Sequence, residues 1–198
     1  MHAMPHNSPI AIIGLGNPGA EYARTRHNAG FWFADALVEK HRASFKIESR
    51  FFGEVARLKI EGVDVHVLKP GTFMNRSGQA VQALSSFYKI ATPDLLVAHD
   101  ELDMPAGQMR LKLGGGHGGH NGLRDVHQHL GEGYRRLRVG IGHPGDKNLV
   151  LGYVLGRPAK AEEEEIRIGI QHAIDALPVW LAQSWDKALQ QLHTSNTP

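Results

Sequence analysis

Residues 10–15 (IAIIGL) form an unbroken apolar run near the start of the chain, and this run limits the folds that the sequence can adopt. A continuous apolar segment of this length is typical of a β-strand that is buried on both faces. Residues 28–42 then place apolar side chains on one helical face, and Asn28 is a suitable N-cap residue at their start. A buried strand followed by an amphipathic helix predicts an α/β fold.

The remaining patterns indicate that the sheet is mixed. Residues 54–60 and 63–68 alternate between apolar and polar side chains and are separated by Glu61-Gly62, which is typical of a two-residue β-hairpin. A long helical pattern covers residues 162–190, and Pro178 should kink or break it. The other predicted elements are strands at residues 95–98, 108–113 and 137–141 and helices at residues 77–88 and 123–130.

Composition bounds the class of protein. The chain has 198 residues, of which 41% are hydrophobic, and this is enough for one substantial core. It contains no cysteine, which excludes disulfide-stapled scaffolds, thiolate zinc sites and cysteine nucleophiles. No apolar run approaches the ~20 residues of a membrane span. We therefore predict one cytosolic domain over residues 10–193, with a disordered extension at residues 1–9 and a tail at residues 194–198.

The net charge is only +2 with neutral histidines, so the chain as a whole is not a basic nucleic-acid binder. Basic residues nevertheless outnumber acidic ones between Met104 and Asn148. This excess could form a local surface that faces phosphates, or it could be the solvated rim of a glycine-rich loop. The basic side chains of the segment are Arg110, Lys112, Arg124, Arg135, Arg136, Arg138 and Lys147.

Residues 14–19 (GLGNPG) match the Gly-x-Gly-x-x-Gly fingerprint of dinucleotide-binding loops. The context does not fit, because Asn17 precedes a proline and because a helix replaces the second strand and its ribose-binding acid. A tight turn that projects Asn17 from the C-terminal end of the first strand fits better. Ligand sites of α/β sheets lie at such strand ends.

His27 and Asp100 are candidates for acid–base chemistry. His27 lies just before a predicted helix, and the positive end of the helix dipole should help to keep its imidazole neutral and able to accept a proton. Asp100 follows an apolar strand, from which its carboxylate could orient a histidine base. For either residue alone, a surface or capping role is the simpler interpretation.

Two more asparagines lie near predicted loop-to-helix junctions, Asn75 after Met74 and Asn121 after His120. An amide offers two donors and one acceptor, which suits a peptide backbone or a developing oxyanion, although capping is the alternative for each. Residues 114–119 (GGGHGG) are incompatible with regular structure and fit a phosphate cradle, a mobile gate or a simple loop.

The histidines between residues 117 and 129 raise the question of a metal ion. They are not spaced as His-Glu-x-x-His, and no carboxylate completes a clear ligand set. We therefore expect no metal ion.

Several separated motifs together resemble those of bacterial peptidyl-tRNA hydrolases. The likeness covers nearly the whole chain after the first nine residues, although the C-terminal helix is matched only loosely, and no motif position departs from the family pattern. The motifs are residues 14–19 (GLGNPG) with Tyr22, residues 25–30 (TRHNAG), residues 72–75 (TFMN) with Ser77-Gly78, residues 99–103 (HDELD), residues 112–122 (KLGGGHGGHNG) and residues 136–144 (RLRVGIGHP).

This resemblance implies a fold, a reaction and a set of roles. The implied fold is a single α/β domain whose mixed, twisted β-sheet is sandwiched between α-helices, with a glycine-rich gate loop, usually monomeric and without a cofactor. The implied reaction is hydrolysis of the ester between a peptide and tRNA. This recycles the tRNA of peptidyl-tRNA that has dissociated from stalled ribosomes. By the same resemblance, His27 is the catalytic base and Asp100 hydrogen-bonds to it. Asn17, Asn75 and Asn121 line the site and hold the peptide or the attacking water.

Four residues are assigned to substrate binding by the resemblance. Tyr22 is similar to the family residue beside the tRNA terminus, and Met74 belongs to the same motif as Asn75. Lys112 and Arg138 resemble the basic residues that contact the tRNA phosphate. Two other classes stay open, a nucleotide-binding oxidoreductase and a non-catalytic RNA-binding module, whereas the lack of a Gly-x-Ser-x-Gly elbow argues against a serine esterase.

Overall fold

The computed structural model describes residues 6–196, and within them seven strands form one mixed sheet in the order β2-β3-β4-β1-β5-β7-β6. The strands are β1 (Ile10–Gly14), β2 (Lys46–Glu48), β3 (Gly53–Ile60), β4 (Val63–Pro70), β5 (Leu95–Glu101), β6 (Met109–Leu113) and β7 (Arg135–Gly140). The helices are α1 (Ala29–Lys40), α2 (Ser77–Tyr88), α3 (Asn121–Leu130), α4 (Val150–Val154), α5 (Lys160–Ala182) and α6 (Trp185–Ser195).

The central strands are parallel and the outer pairs are antiparallel, which confirms the predicted mixed sheet. Strand β1 runs parallel to both β4 and β5, and β5 runs parallel to β7. The pairs β2–β3, β3–β4 and β6–β7 are antiparallel. The predicted hairpin joins β3 to β4, where Glu61 and Gly62 take φ values of 50° and 77°. Positive φ at both central residues is the geometry that suits a tight hairpin.

Helices cover both faces of the sheet, so the sandwich architecture is confirmed. Alternate residues of β1 show the division: Ile12 packs in the core under α1, α5 and α6, whereas Ile13 packs in the core under α2 and α3. Both side chains are fully buried, as expected for a strand between two helical layers. Within residues 6–196, no helix combines the length and the apolar composition that crossing a membrane requires.

The long C-terminal helical pattern was predicted to be kinked or broken by Pro178, and the chain is not broken at that residue. Helix α5 continues through Pro178 and ends at Ala182, and Ser184 then caps α6 by accepting a hydrogen bond from the Lys187 amide at 3.1 Å. The apolar residues on either side of the proline, Leu177 and Leu181, are buried in the core. Their packing holds the helix together across the one backbone hydrogen bond that proline cannot donate.

Both ends of the described chain contact the body of the domain. The backbone amide of His6 donates to the Leu181 carbonyl at 2.9 Å. At the other end α6 continues to Ser195, past the predicted boundary, and the Asn196 side chain bonds to both backbone groups of Met109 on the edge strand β6. The predicted extension and tail also include residues 1–5 and 197–198, which lie outside the described residues, and the domain boundaries stay a prediction.

Candidate active site

His27 and Asp100 meet at the C-terminal ends of the central strands, where β5 ends and α1 begins. His27 lies in a single 3-10 turn before α1, and its Nδ1 is 2.8 Å from Asp100 Oδ2. A carboxylate can only accept, so Nδ1 carries the proton that it donates, and in the neutral imidazole Nε2 keeps its lone pair. The side chain of His27 is 13% exposed and that of Asp100 only 2%, so the histidine is the partner that solvent or substrate can reach.

His120 binds the other oxygen of the same carboxylate. Its Nε2 is 2.7 Å from Asp100 Oδ1, while its Nδ1 accepts the backbone amides of Gly122 and Leu123 at the start of α3. These amides can only donate, so Nδ1 is unprotonated and Nε2 carries the hydrogen that Asp100 accepts. The N-cap of α3 therefore fixes the tautomer of His120. His27, Asp100 and His120 together are called the triad below.

The pKa of His27 is shifted in the opposite direction to the one that a helix N-terminus favours. Burial lowers the pKa of His27, but the charge and the hydrogen bond of Asp100 outweigh burial, so the pKa is raised above its ordinary value. For Asp100 itself, burial raises the pKa, and the two imidazoles, His120 first, lower it far below its ordinary value. The carboxylate is thus ionised, and a nearby full charge has more influence on His27 than a helix dipole has.

Asn17 projects from the turn after β1 with its amide held in one orientation. Its Oδ1 accepts the Met74 backbone amide at 2.8 Å, so Nδ2 is the atom that points away from Met74 as a donor. Asn28 holds the backbone of Asn17 from the other side, accepting from the amide at 2.9 Å and donating to the carbonyl at 3.0 Å. Asn28 is the N-cap of α1, as predicted, although its side chain makes no capping hydrogen bond.

The glycines of the first loop serve close packing against α1. A Cβ on Gly14 would lie 2.2 Å from the Gly30 carbonyl oxygen, and one on Gly16 would lie 2.7 Å from the ring of Phe31. Gly30 in turn faces the Ala98 carbonyl oxygen, which a Cβ would approach to 2.4 Å. The space beside these glycines is filled by the chain itself, so the resemblance to a dinucleotide loop does not extend to a phosphate cradle here.

The sequence was compared with protein families and with individual relatives, and both comparisons match peptidyl-tRNA hydrolases. A sequence model of the peptidyl-tRNA hydrolase family matches residues 11–198. The chain belongs to the peptidyl-tRNA hydrolase family. It is 56% identical over 189 residues to the peptidyl-tRNA hydrolase of Neisseria meningitidis, which covers 95% of this chain and 98% of the relative. The peptidyl-tRNA hydrolase of Erwinia tasmaniensis is 54% identical over 185 residues, covering 92% and 95% of the two chains.

The fold agrees with a solved member of the family. The crystal structure of peptidyl-tRNA hydrolase from Acinetobacter baumannii superposes with a TM-score of 0.90 at 50% identity, covering 93% of this chain and 94% of that one. The family assignment confirms the resemblance predicted from the motifs, and it makes the chain an enzyme of the hydrolase class. The oxidoreductase and the non-catalytic RNA-binding module lose their support.

The other predicted site residues differ in how exposed they are. Met74 is buried, and its sulfur lies against Gly122, where a Cβ would approach it to 2.6 Å. Asn75, in the 3-10 turn after Met74, is exposed, and so is Asn121, whose Oδ1 accepts a weak hydrogen bond from Arg124 at 3.4 Å. The side-chain amides of Asn75 and Asn121 are therefore accessible from solvent. Tyr22 is half-buried in the loop before the 3-10 turn of His27.

The predicted phosphate-binding residues lie on neighbouring strands, as expected, but they are not opposite each other. On β6 and β7, Lys112 pairs with Arg136, and Arg138 pairs with Arg110. Paired residues of antiparallel strands project to the same side, so the four cations form one basic strip on one face. Arg138 binds Glu101, with 2.9 Å between Nε and Oε1.

The glycine-rich segment of residues 114–119 contains no helix or strand, as predicted, and is attached through its carbonyl groups. Arg136 donates to the Gly116 carbonyl at 2.9 Å, and His127 donates to the Gly115 carbonyl at 3.1 Å. Gly115 has φ of 98°, and a Cβ there would lie 2.8 Å from both Lys112 and Arg136. Glycine is thus required at this position beside the basic strip, while the role of the segment as a gate stays a prediction.

The triad brings together three side chains of the kinds that bind metal ions. One ligand atom from each of His27, Asp100 and His120 lies within 4.8 Å of the others, and two imidazoles with one carboxylate suit zinc. The same atoms are already hydrogen-bonded in pairs at 2.8 and 2.7 Å. The sequence spacing of the histidines could not reveal this group, because its three members come from segments that only the fold brings together.

His120 and Asn28 are the site residues whose contacts the sequence did not predict. His120 was considered only as a metal ligand, and its bond to Asp100 spans 20 residues. Asn28 reaches Asn17 across 11 residues by a pair of hydrogen bonds that no local pattern predicts. Both are polar residues that flank the start of a helix, and at such positions capping is the common role of a side chain.

Proposed function

We propose that the chain hydrolyses the ester bond between the peptide and the tRNA of peptidyl-tRNA, with His27 as general base. The observation that carries this proposal is the His27–Asp100 hydrogen bond at 2.8 Å, which leaves Nε2 of a partly exposed imidazole as the proton acceptor. A base in this state can take a proton from water while the oxygen attacks the ester carbonyl carbon. A positioned base of this kind accelerates such a step by ~10²–10⁴-fold.

In the proposed reaction, the tetrahedral intermediate carries its negative charge on the former carbonyl oxygen. The Nδ2 donor of Asn17, held by the Met74 amide, is suited to bind that oxygen. When the intermediate collapses, the carbon–oxygen bond to the ribose breaks, and His27 returns its proton to the leaving ribose oxygen. The products are a peptide carboxylic acid and tRNA with a free hydroxyl, which can re-enter translation.

We assign the remaining residues to the substrate. The exposed amides of Asn75 and Asn121 bind the peptide backbone, and Met74 and Tyr22 contact the end that joins peptide and tRNA. Lys112 and Arg138 bind tRNA phosphate from the basic strip on β6 and β7. We further propose that residues 10–193 act as a cytoplasmic monomer without a cofactor, as the resemblance to the family implies.

The direct test is turnover of peptidyl-tRNA beside a small N-acylated amino-acid ester that lacks tRNA. The wild-type enzyme should release peptide from both, with a far lower KM for peptidyl-tRNA. Lys112→Ala and Arg138→Ala should each raise KM for peptidyl-tRNA only. Each should also flatten the log–log salt dependence of binding by ~0.7–0.9 for one lost phosphate contact. If the wild-type enzyme binds peptidyl-tRNA but does not cleave it, the proposed hydrolysis is wrong.

A further inference from the structure

The carboxylate of Glu101 stands out among the cations of the basic strip. Arg110, Lys112, Arg136 and Arg138 all project from one face of β6 and β7. Glu101 comes from the neighbouring strand β5, where its Cα pairs with Gly140, so its side chain projects to the same face as Arg138. Its side chain is 17% exposed, which means that the charge is partly withdrawn from water. A carboxylate in a phosphate-binding surface would be expected to repel the ligand, so its presence calls for a reason.

The two oxygens of Glu101 have different partners. Oε1 accepts from Nε of Arg138 at 2.9 Å, and Oε2 accepts from the backbone amide of Asp103 at 3.3 Å. The hydrogen bond from the Asp103 backbone orients the carboxylate of Glu101, and the carboxylate in turn orients the guanidinium of Arg138 through Nε. Within residues 6–196, the two terminal nitrogens of Arg138 have no hydrogen-bond acceptor. A guanidinium held through Nε presents its two terminal nitrogens outward, which is the fork that binds two phosphate oxygens.

We propose that Glu101 is a positioning residue that sets Arg138 in the orientation in which its terminal nitrogens bind tRNA phosphate. This inference rests on the proposed role of Arg138 and deepens it. An arginine with a free side chain must be ordered when the substrate binds, and that ordering weakens binding. With Glu101 in place, the Arg138 side chain is already ordered in the free enzyme, so its entropy does not have to be lost when the substrate binds.

Two neutral substitutions separate positioning from charge. Both Glu101→Gln and Glu101→Ala remove the negative charge, and both remove the same repulsion toward phosphate. Only glutamine keeps an oxygen that can accept from Nε of Arg138. The ratio of KM for peptidyl-tRNA between the alanine and the glutamine variants therefore measures positioning alone. We expect a ratio of about 2- to 10-fold, which corresponds to ordering one long side chain on binding.

The same pair of variants has three internal controls. The kcat of both and their turnover of the small ester should match wild type, because Arg138 touches only the tRNA part of the substrate. The ratio should fall to one when Arg138→Ala is present in both, since Glu101 then has nothing to position. Glu132→Gln and Glu132→Ala, at an exposed acid near Arg136, should show no difference from each other.

The outcomes discriminate between this inference and the proposed function. If Arg138→Ala leaves KM unchanged, the phosphate contact itself is wrong. If Arg138→Ala raises KM while the alanine and glutamine variants of Glu101 are equal, the contact stands and the positioning role is overturned. A loss of kcat in Glu101→Ala that Glu101→Gln does not share, seen with the small ester as well, would show that Glu101 acts through its neighbour Asp100, and this also overturns the inference.

Discussion

Replacing Asp100 by asparagine should disable His27 by changing its tautomer. The carboxylate accepts one hydrogen bond from each imidazole, from His27 at 2.8 Å and from His120 at 2.7 Å. Asparagine offers only one accepting oxygen, and its amide nitrogen must face the other imidazole. His120 cannot adapt, because the backbone amides of α3 occupy its Nδ1. The oxygen will therefore face His120, and the amide nitrogen will face Nδ1 of His27.

A donor facing Nδ1 requires that His27 carry its proton on Nε2, which is the atom that has to accept a proton from water. The same substitution in a Ser-His-Asp triad lowers kcat by about 10⁴-fold for this reason. A positioned base supplies ~10²–10⁴-fold. We therefore expect Asp100→Asn to lower kcat by about 10²–10⁴-fold with little change in tRNA binding.

The pH profile gives a second readout of the same change. The active base is neutral His27, so kcat/KM of the wild-type enzyme should fall as the pH drops through the raised pKa of His27, above its ordinary value of 6.5. Asp100 is what raises that pKa against burial, so the acidic limb of any residual activity should move to lower pH in Asp100→Asn.

Stability needs to be measured in parallel. The lowered pKa of Asp100 means that its ionised form stabilises the fold above its ordinary pKa, and the substitution removes that contribution. Thermal unfolding and tRNA binding of the variant show whether it is folded, and Asp64→Asn, at an exposed aspartate on β4, is the matched control. A folded Asp100→Asn enzyme with wild-type kcat and an unmoved acidic limb would refute the tautomer argument.

Two further predictions concern the support of the site and its chemistry. Asn28→Ala leaves the backbone amide and carbonyl of Asn17 without their partners, and at ~1–3 kcal/mol for each buried group the free energy of unfolding should fall by about 2–6 kcal/mol. Urea unfolding beside Asn148→Ala, at an exposed asparagine, checks this, and equal stability of the two variants would contradict it. Removal of metal ions by EDTA should leave kcat unchanged, because each imidazole of the triad is hydrogen-bonded to one oxygen of the Asp100 carboxylate. Activity that EDTA abolishes and zinc restores would show a metal enzyme.

The elements that the sequence predicted well depend on local patterns. The hairpin at Glu61-Gly62 and helix α2 (Ser77–Tyr88) lie where periodicity and turn residues placed them. Helix α5 is not broken at Pro178 because the buried side chains around the proline hold the helix together, and burial on a helix face is a property of the whole fold. The short elements β2 and α4 were not predicted, since three and five residues are too few to establish a period.

For the candidate site, the sequence suggested residues but could not give all of their contacts. Motif resemblance brought out His27, Asp100 and Asn17, and the structure places the first two in direct contact. It could not show that His120 shares the carboxylate of Asp100, because that depends on how α3 meets β5. The sign of the His27 shift was also missed, since a helix dipole can be read from the sequence and a carboxylate from a distant strand cannot.

The central claim is that His27 is the base of an ester hydrolysis, and the most direct measurement is single-turnover cleavage of peptidyl-tRNA by His27→Ala at saturating enzyme. Saturation removes differences in binding, so the rate reports the chemical step alone. The account predicts a loss of at least ~10²-fold, with tRNA affinity and thermal stability close to wild type. A folded His27→Ala enzyme that cleaves peptidyl-tRNA at the wild-type rate would contradict the account.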